Sequence, residues 1–174
     1  VVATSYVKGK AGGDDFALLR FTPPANVHLP VLSFSTDVQR MDRVSAWGYP
    51  GMVTQFDKSI QDLGRGRTNF SAPPVVYTEG TISAFVENKN STSIIHTASL
   101  ASGNSGGPLV NRRGEVVGIN TGGYKEKNEG AYVNASLTAD AAMAFLRKNG
   151  VSPLVAGGGI PAAVASRASG EGRA

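Results

Sequence analysis

The sequence contains no cysteine. That excludes disulfides, a thiolate nucleophile and a cysteine-ligated metal, and it leaves the compartment open. Long apolar runs are also missing. No stretch approaches the roughly 20 residues of a membrane-crossing helix, and none reads as a signal peptide. Histidine is scarce, with His28 and His96 alone, and no cluster has metal-ligand spacing. The Gly-rich fingerprint of a nucleotide cofactor is absent as well. No metal and no cofactor are therefore expected. The chain also lacks a strong charge bias: 17 Lys and Arg against 13 Asp and Glu leave a net charge of +4. The basic residues are scattered rather than striped, which reads as a solvated surface and not as a nucleic-acid-binding face. There are no internal repeats.

What is there suits a globular chain. Its 174 residues are enough for one domain with a real core. At 41% hydrophobic and 17% charged, disorder is not expected over most of its length. The most informative stretch is Gly103-Asn104-Ser105-Gly106-Gly107-Pro108-Leu109-Val110. Glycines on either side of the serine remove Cβ atoms, so the backbone can turn sharply and approach a substrate carbonyl. The N–H groups of Gly103 and Ser105 can then converge on a developing oxyanion. Alone, the run also fits a plain turn between two strands, which Gly, Asn, Ser and Pro favour.

About ninety residues upstream, Asp14-Asp15 runs straight into the apolar stretch Phe16-Ala17-Leu18-Leu19. Then follow, in order, Ala46-Trp47-Gly48-Tyr49-Pro50, Glu79-Gly80-Thr81-Ile82, the Ser105 stretch, Gly118-Ile119-Asn120-Thr121 and Gly130-Ala131-Tyr132-Val133. Together these resemble the trypsin-like (chymotrypsin-fold) serine peptidases, particularly the bacterial HtrA/Deg-like branch, over roughly residues 1–150. The resemblance implies an all-β, chymotrypsin-like double β-barrel. It implies Ser105 as nucleophile, Asp15 as the carboxylate that orients a catalytic histidine, and the N–H groups of Gly103 and Ser105 as oxyanion hole. Its substrate would be a polypeptide, bound as an extended strand along Ile119, Asn120, Thr121 and Gly122. Ser99 takes the place where the trypsin branch keeps a pocket aspartate, and Gly122, Gly123 and Gly130 leave the pocket walls open. A neutral, small to medium apolar side chain is expected there, rather than Arg or Lys. A periplasmic or extracellular home is what the resemblance favours.

In order along the chain, residues 1–30 read as the last two strands of a first barrel (1–7 and 16–21) and a Pro-rich inter-barrel crossing. Residues 31–150 read as a complete second barrel with a closing helix. Its strands are expected near 43–48, 75–85, 93–97, 108–111, 115–121 and 131–134. Arg112-Arg113-Gly114 is a tight hairpin turn in which Gly114 can take positive φ. Residues 138–148 read as the helix, with Asp140 near its start, Arg147 and Lys148 at its end, and Gly150 as a stop. The connection 49–74 is long and has few apolar anchors. Residues 151–174, rich in Gly, Ala and Ser, read as a flexible linker.

One part of the pattern is missing. The resemblance implies the chain order His, Asp, Ser, yet none of the fourteen residues before Asp15 is histidine. His28 follows Asp15. His96 precedes Ser105 by nine residues, an extended reach of about 30 Å, so both histidines read as structural or surface residues. Two accounts compete. The chain is either a fragment of an active peptidase, with its histidine on a preceding segment, or a degenerate relative that binds peptides as an adaptor. Because the chain begins inside a strand and ends in a linker, a fragment inactive by itself is expected, with the missing N-terminal segment as its partner. An α/β esterase would need Gly-x-Ser-x-Gly at a strand-to-helix elbow followed by Asp and His. Here a Pro-led strand follows the serine, and no histidine comes after it.

Overall fold

The computed structural model describes residues 5–8, 15–23, 25–27, 29–54, 74–88, 91–125 and 132–157. Its centre is a closed antiparallel barrel. Six strands build it: β3 (Arg43–Gly48), β4 (Val76–Glu87), β5 (Thr92–His96), β6 (Pro108–Asn111), β7 (Val116–Lys125) and β8 (Tyr132–Thr138). The spatial order is β3-β4-β5-β8-β7-β6. In β3, Val44, Ala46 and Gly48 are buried, while Arg43 is exposed and Ser45 and Trp47 half-buried, so period-2 alternation aims one face inward. The strand pairs with β4 from Arg43↔Thr81 to Gly48↔Val76, and with β6 through Val44↔Asn111 and Ala46↔Leu109. That second pairing closes the barrel and leaves it no free edge. Val44, Ala46, Ile82, Ile94, Leu109 and Val117 fill the interior, with Ala98 and Leu100. Fully burying each larger side chain contributes about 1.5–3 kcal/mol. Register shifts at Ile82/Ala84, Leu109/Val110 and Asn120/Gly122 add the twist that curling six strands requires.

The expected second barrel is thus complete. Strands β4, β7 and β8 run further than the sequence suggested, to Glu87, Lys125 and Thr138. Asn134 and Ser136 are poor strand formers, but pairing with both β5 and β7 holds their backbones in the ladder whatever the local preference. In the β6–β7 hairpin, Gly114 takes φ +76° and its N–H donates to Asn111 O at 3.0 Å. Arg113 reaches both Glu115 (2.9 Å) and Asp37 (3.2 Å), and so ties the turn to the segment before β3.

Ahead of the barrel, β1 (Ser5–Lys8) and β2 (Ala17–Arg20) form a two-stranded antiparallel ribbon, Ser5 opposite Arg20 and Lys8 opposite Ala17. A single helical turn, α1 (Gly51–Thr54), follows β3, and residues 55–73 of the long connection lie outside the described residues. The closing helix α2 (Ala139–Lys148) starts at Thr138, whose hydroxyl accepts the Ala141 N–H at 3.4 Å. Asp140 sits in its first turn and Arg147 and Lys148 in its last, matching the helix dipole. It buries Ala139, Ala142, Met143 and Phe145 against the barrel. The Phe145 ring meets Phe16 at 5.6 Å between centroids, so the helix also holds the approach to β2. The segment expected as linker begins bound. Phe34 donates to Leu154 O and accepts from Ala156 N–H, both at 2.7 Å, and residues 158–174 lie outside the described residues.

Candidate active site

The turn between β5 and β6 carries Ser105. Three bonds shape it: Asn104 N–H to Ala101 O (3.0 Å), Gly107 N–H to Asn104 O (3.0 Å) and Gly51 N–H to Ser102 O (2.8 Å). Gly103 takes φ +103°, and a Cβ there would collide with the Tyr49 carbonyl, so the turn requires glycine on both counts. Asn104 points inward, 4% exposed, and its Oδ1 finds no partner among the described residues. Ser105 is exposed, and its hydroxyl donates to Thr121 O on β7 at 3.0 Å. Among the described residues, the N–H groups of Gly103 and Ser105 make no hydrogen bond.

Ser105 opens onto a cavity of about 450 Å³ whose walls come from separate parts of the chain. Asp15, Phe16 and Leu19 stand on the β2 side, Ile119, Asn120 and Thr121 on β7, and Phe145 and Leu146 on α2. Asp15 and Ser105, ninety residues apart in sequence, therefore share one hollow. The approach to β2 and the helix, packed together through Phe16 and Phe145, and not the barrel alone, make that possible. Gly122 is half-buried at the β7 register shift beside these residues. Ser99 is exposed and does not line the cavity; its carbonyl accepts from the Thr78 hydroxyl at 2.7 Å. Gly130 and His28 lie outside the described residues.

His96 is 2% exposed, and its Nε2 lies 3.0 Å from Ser136 Oγ on β8, so it does not serve Ser105. Burial pushes its pKa down to about 4, partly opposed by the Ala98 backbone, and the ring is neutral at pH 7. Three cavity walls, Phe34, Phe145 and Leu146, carried no functional signal in the sequence. Phe145 lies on the buried face of α2, and the packing of α2 beside β7 brings it into the same cavity as the serine. No group of His, Cys, Asp and Glu among the described residues has metal-binding geometry.

The sequence matches the trypsin-like peptidase domain over residues 2–119. It is 30% identical over 146 residues to a glutamyl endopeptidase of Staphylococcus epidermidis, a match covering 79% of this chain and 43% of that protein. The crystal structure of the serine endoprotease from Yersinia pestis superposes with a TM-score of 0.57 at 27% identity, covering 83% of this chain and 43% of the other. The HtrA-type protease AlgW with a decapeptide gives a TM-score of 0.57 at 24% identity, covering 77% and 36%, a likeness of fold. The chain spans less than half the length of these relatives.

Proposed function

The chain belongs to the trypsin-like peptidase family, and from that premise we propose that it is the nucleophile-bearing part of a serine endopeptidase acting on polypeptides. Ser105 attacks the scissile carbonyl. The unengaged N–H groups of Gly103 and Ser105 stabilise the resulting oxyanion, where one donor is worth about 2.7–4 kcal/mol. Asp15 orients an imidazole that takes the serine proton. The substrate lies extended along Ile119, Asn120, Thr121 and Gly122. The observation that carries this reading is the single cavity shared by Asp15 and Ser105.

The imidazole itself comes from a segment preceding residue 1. His96 is committed to Ser136, and the Ser105 hydroxyl points its proton at Thr121 O rather than at a base. Without that base the 174-residue chain is inactive, since loss of a triad histidine lowers turnover on the order of 10⁶-fold. Residues 1–30 are the remnant of a first barrel with the inter-barrel crossing, 31–150 the second barrel with its closing helix, and 151–174 a linker. A fluorophosphonate probe, which reacts only with an activated serine, tests the reading. The chain alone should stay unlabelled, and adding the upstream segment should restore stoichiometric labelling of Ser105. Rapid labelling of the isolated chain would refute the need for an external base. Peptide binding without labelling, even with the upstream segment present, would favour an adaptor.

The side chain preceding the cut is neutral and small to medium in size, because Ser99, Gly122 and Gly123 place no charge around it. The glutamyl endopeptidase among the relatives makes an acidic side chain the competing choice. A peptide-library profile of the complemented enzyme decides between them; dominant cleavage after Glu, Arg or Lys would defeat the neutral pocket.

A further inference from the structure

Three buried polar side chains, His96 (2% exposed), Ser136 (0%) and Asn120 (1%), cross the barrel wall from β5 through β8 to β7. Their hydrogen bonds have a direction that can be worked out. Asn120 Nδ2 faces two carbonyl oxygens, Trp47 O at 3.4 Å and Pro108 O at 3.3 Å, which only accept. Asn120 Oδ1 therefore faces Ser136, whose single hydroxyl proton it takes at 2.9 Å. Ser136 Oγ is then left as an acceptor towards His96, so Nε2 carries the ring proton across the 3.0 Å contact. His96 Nδ1 has no hydrogen-bond partner among the described residues, the nearby Ala98 backbone not closing a bond to it, and is the bare nitrogen.

The far end of this chain holds the nucleophile turn on both sides. Asn120 O accepts the Gly106 N–H at 2.7 Å, and Asn120 N–H donates to Gly107 O at 2.9 Å. The next carbonyl, Thr121 O, receives the Ser105 hydroxyl. We propose that His96 is a positioning residue: its Nε2–H orients the Ser136 hydroxyl onto Asn120, which fixes the Gly106–Gly107 turn and with it Ser105. The inference rests on the assignment of Ser105 as nucleophile. What distinguishes the network from a merely satisfied core group is that it ends on the two residues that follow the serine.

The test is made on the 174-residue chain by NMR. Ring ¹⁵N shifts should show His96 protonated at Nε2 and bare at Nδ1. Ser136→Ala and His96→Leu should raise amide exchange at Gly106 about tenfold relative to Asn149 at the end of α2, because each leaves part of the chain unpaired. His96→Gln, whose amide can still donate to Ser136, should bring Gly106 back towards the parent rate. The proposal is overturned by an Nδ1–H tautomer, by equal acceleration at Gly106 and Asn149, by an unchanged Gly106, or by His96→Gln behaving as His96→Leu. Should His96→Leu fail to fold, Ser136→Ala and the tautomer still decide. Exchange reports the turn whether or not Ser105 reacts, so this result and probe labelling of the serine fail independently.

Discussion

Acid should loosen this fold through His96. In the folded chain burial holds its pKa near 4, whereas in the unfolded chain it returns to 6.5. Between those values the unfolded state binds a proton that the folded state refuses, so stability falls as pH drops through that window. Above 6.5 both states are neutral at this residue and below about 4 both are charged, so it adds no slope at either end. Crossing the whole window costs about 3 kcal/mol, the larger part of it by pH 4.5. For a chain of this size that corresponds to a fall in Tm of roughly 6–12 °C. Carboxylates titrate in the lower part of the same range, so the informative quantity is a difference. Urea unfolding of the parent and of His96→Gln, measured from pH 7 to 4.5, should give curves that converge on acidification as the parent loses stability the variant keeps. Parallel curves would refute the reasoning, and would mean that the ring is hydrated or paired with an acceptor in solution.

Three further outcomes are expected. Gly48→Ala would put a Cβ 2.8 Å from Asn104 Cα and 2.7 Å from its Oδ1, well inside carbon contact distance, and should cost about 1–3 kcal/mol in thermal melts while displacing the serine turn. Thr138→Ala removes the hydroxyl that caps α2 and should lower stability by about 1 kcal/mol, with amide exchange rising first at Ala141. A peptide aldehyde added to the complemented enzyme should protect the amides of residues 119–122 from exchange; protection confined to other strands would displace the substrate from β7.

Much of the barrel was legible because its signals are local. The strand expected near 43–48 is β3, and the tight turn at Arg112-Arg113-Gly114 is the β6–β7 hairpin turn. The ends of β4, β7 and β8 were not legible. Asn134 and Ser136 have weak strand preference and are held by distant partners: Ser136 by His96 and Asn120, 40 and 16 positions away, and Asn134 by Leu100 and His96, 34 and 38 positions away. The same holds for the clip between Phe34 and residues 154–156, where a Gly- and Ala-rich composition concealed two backbone bonds.

By itself the sequence determined the class of fold, the identity of the candidate nucleophile and the shortage of a base to serve it. The first two follow from the ordered motifs that carry the resemblance to the trypsin-like peptidases, and the third from counting histidines. Only the tertiary structure decided that Asp15 and Ser105 open on one cavity, that Phe34 and Phe145 wall it, and that His96 turns away from the serine towards Ser136. The reason is physical. Period and turn chemistry are set by neighbours within a few residues, whereas the meeting of β2, β7 and α2 depends on how six strands close and which faces then remain to be covered.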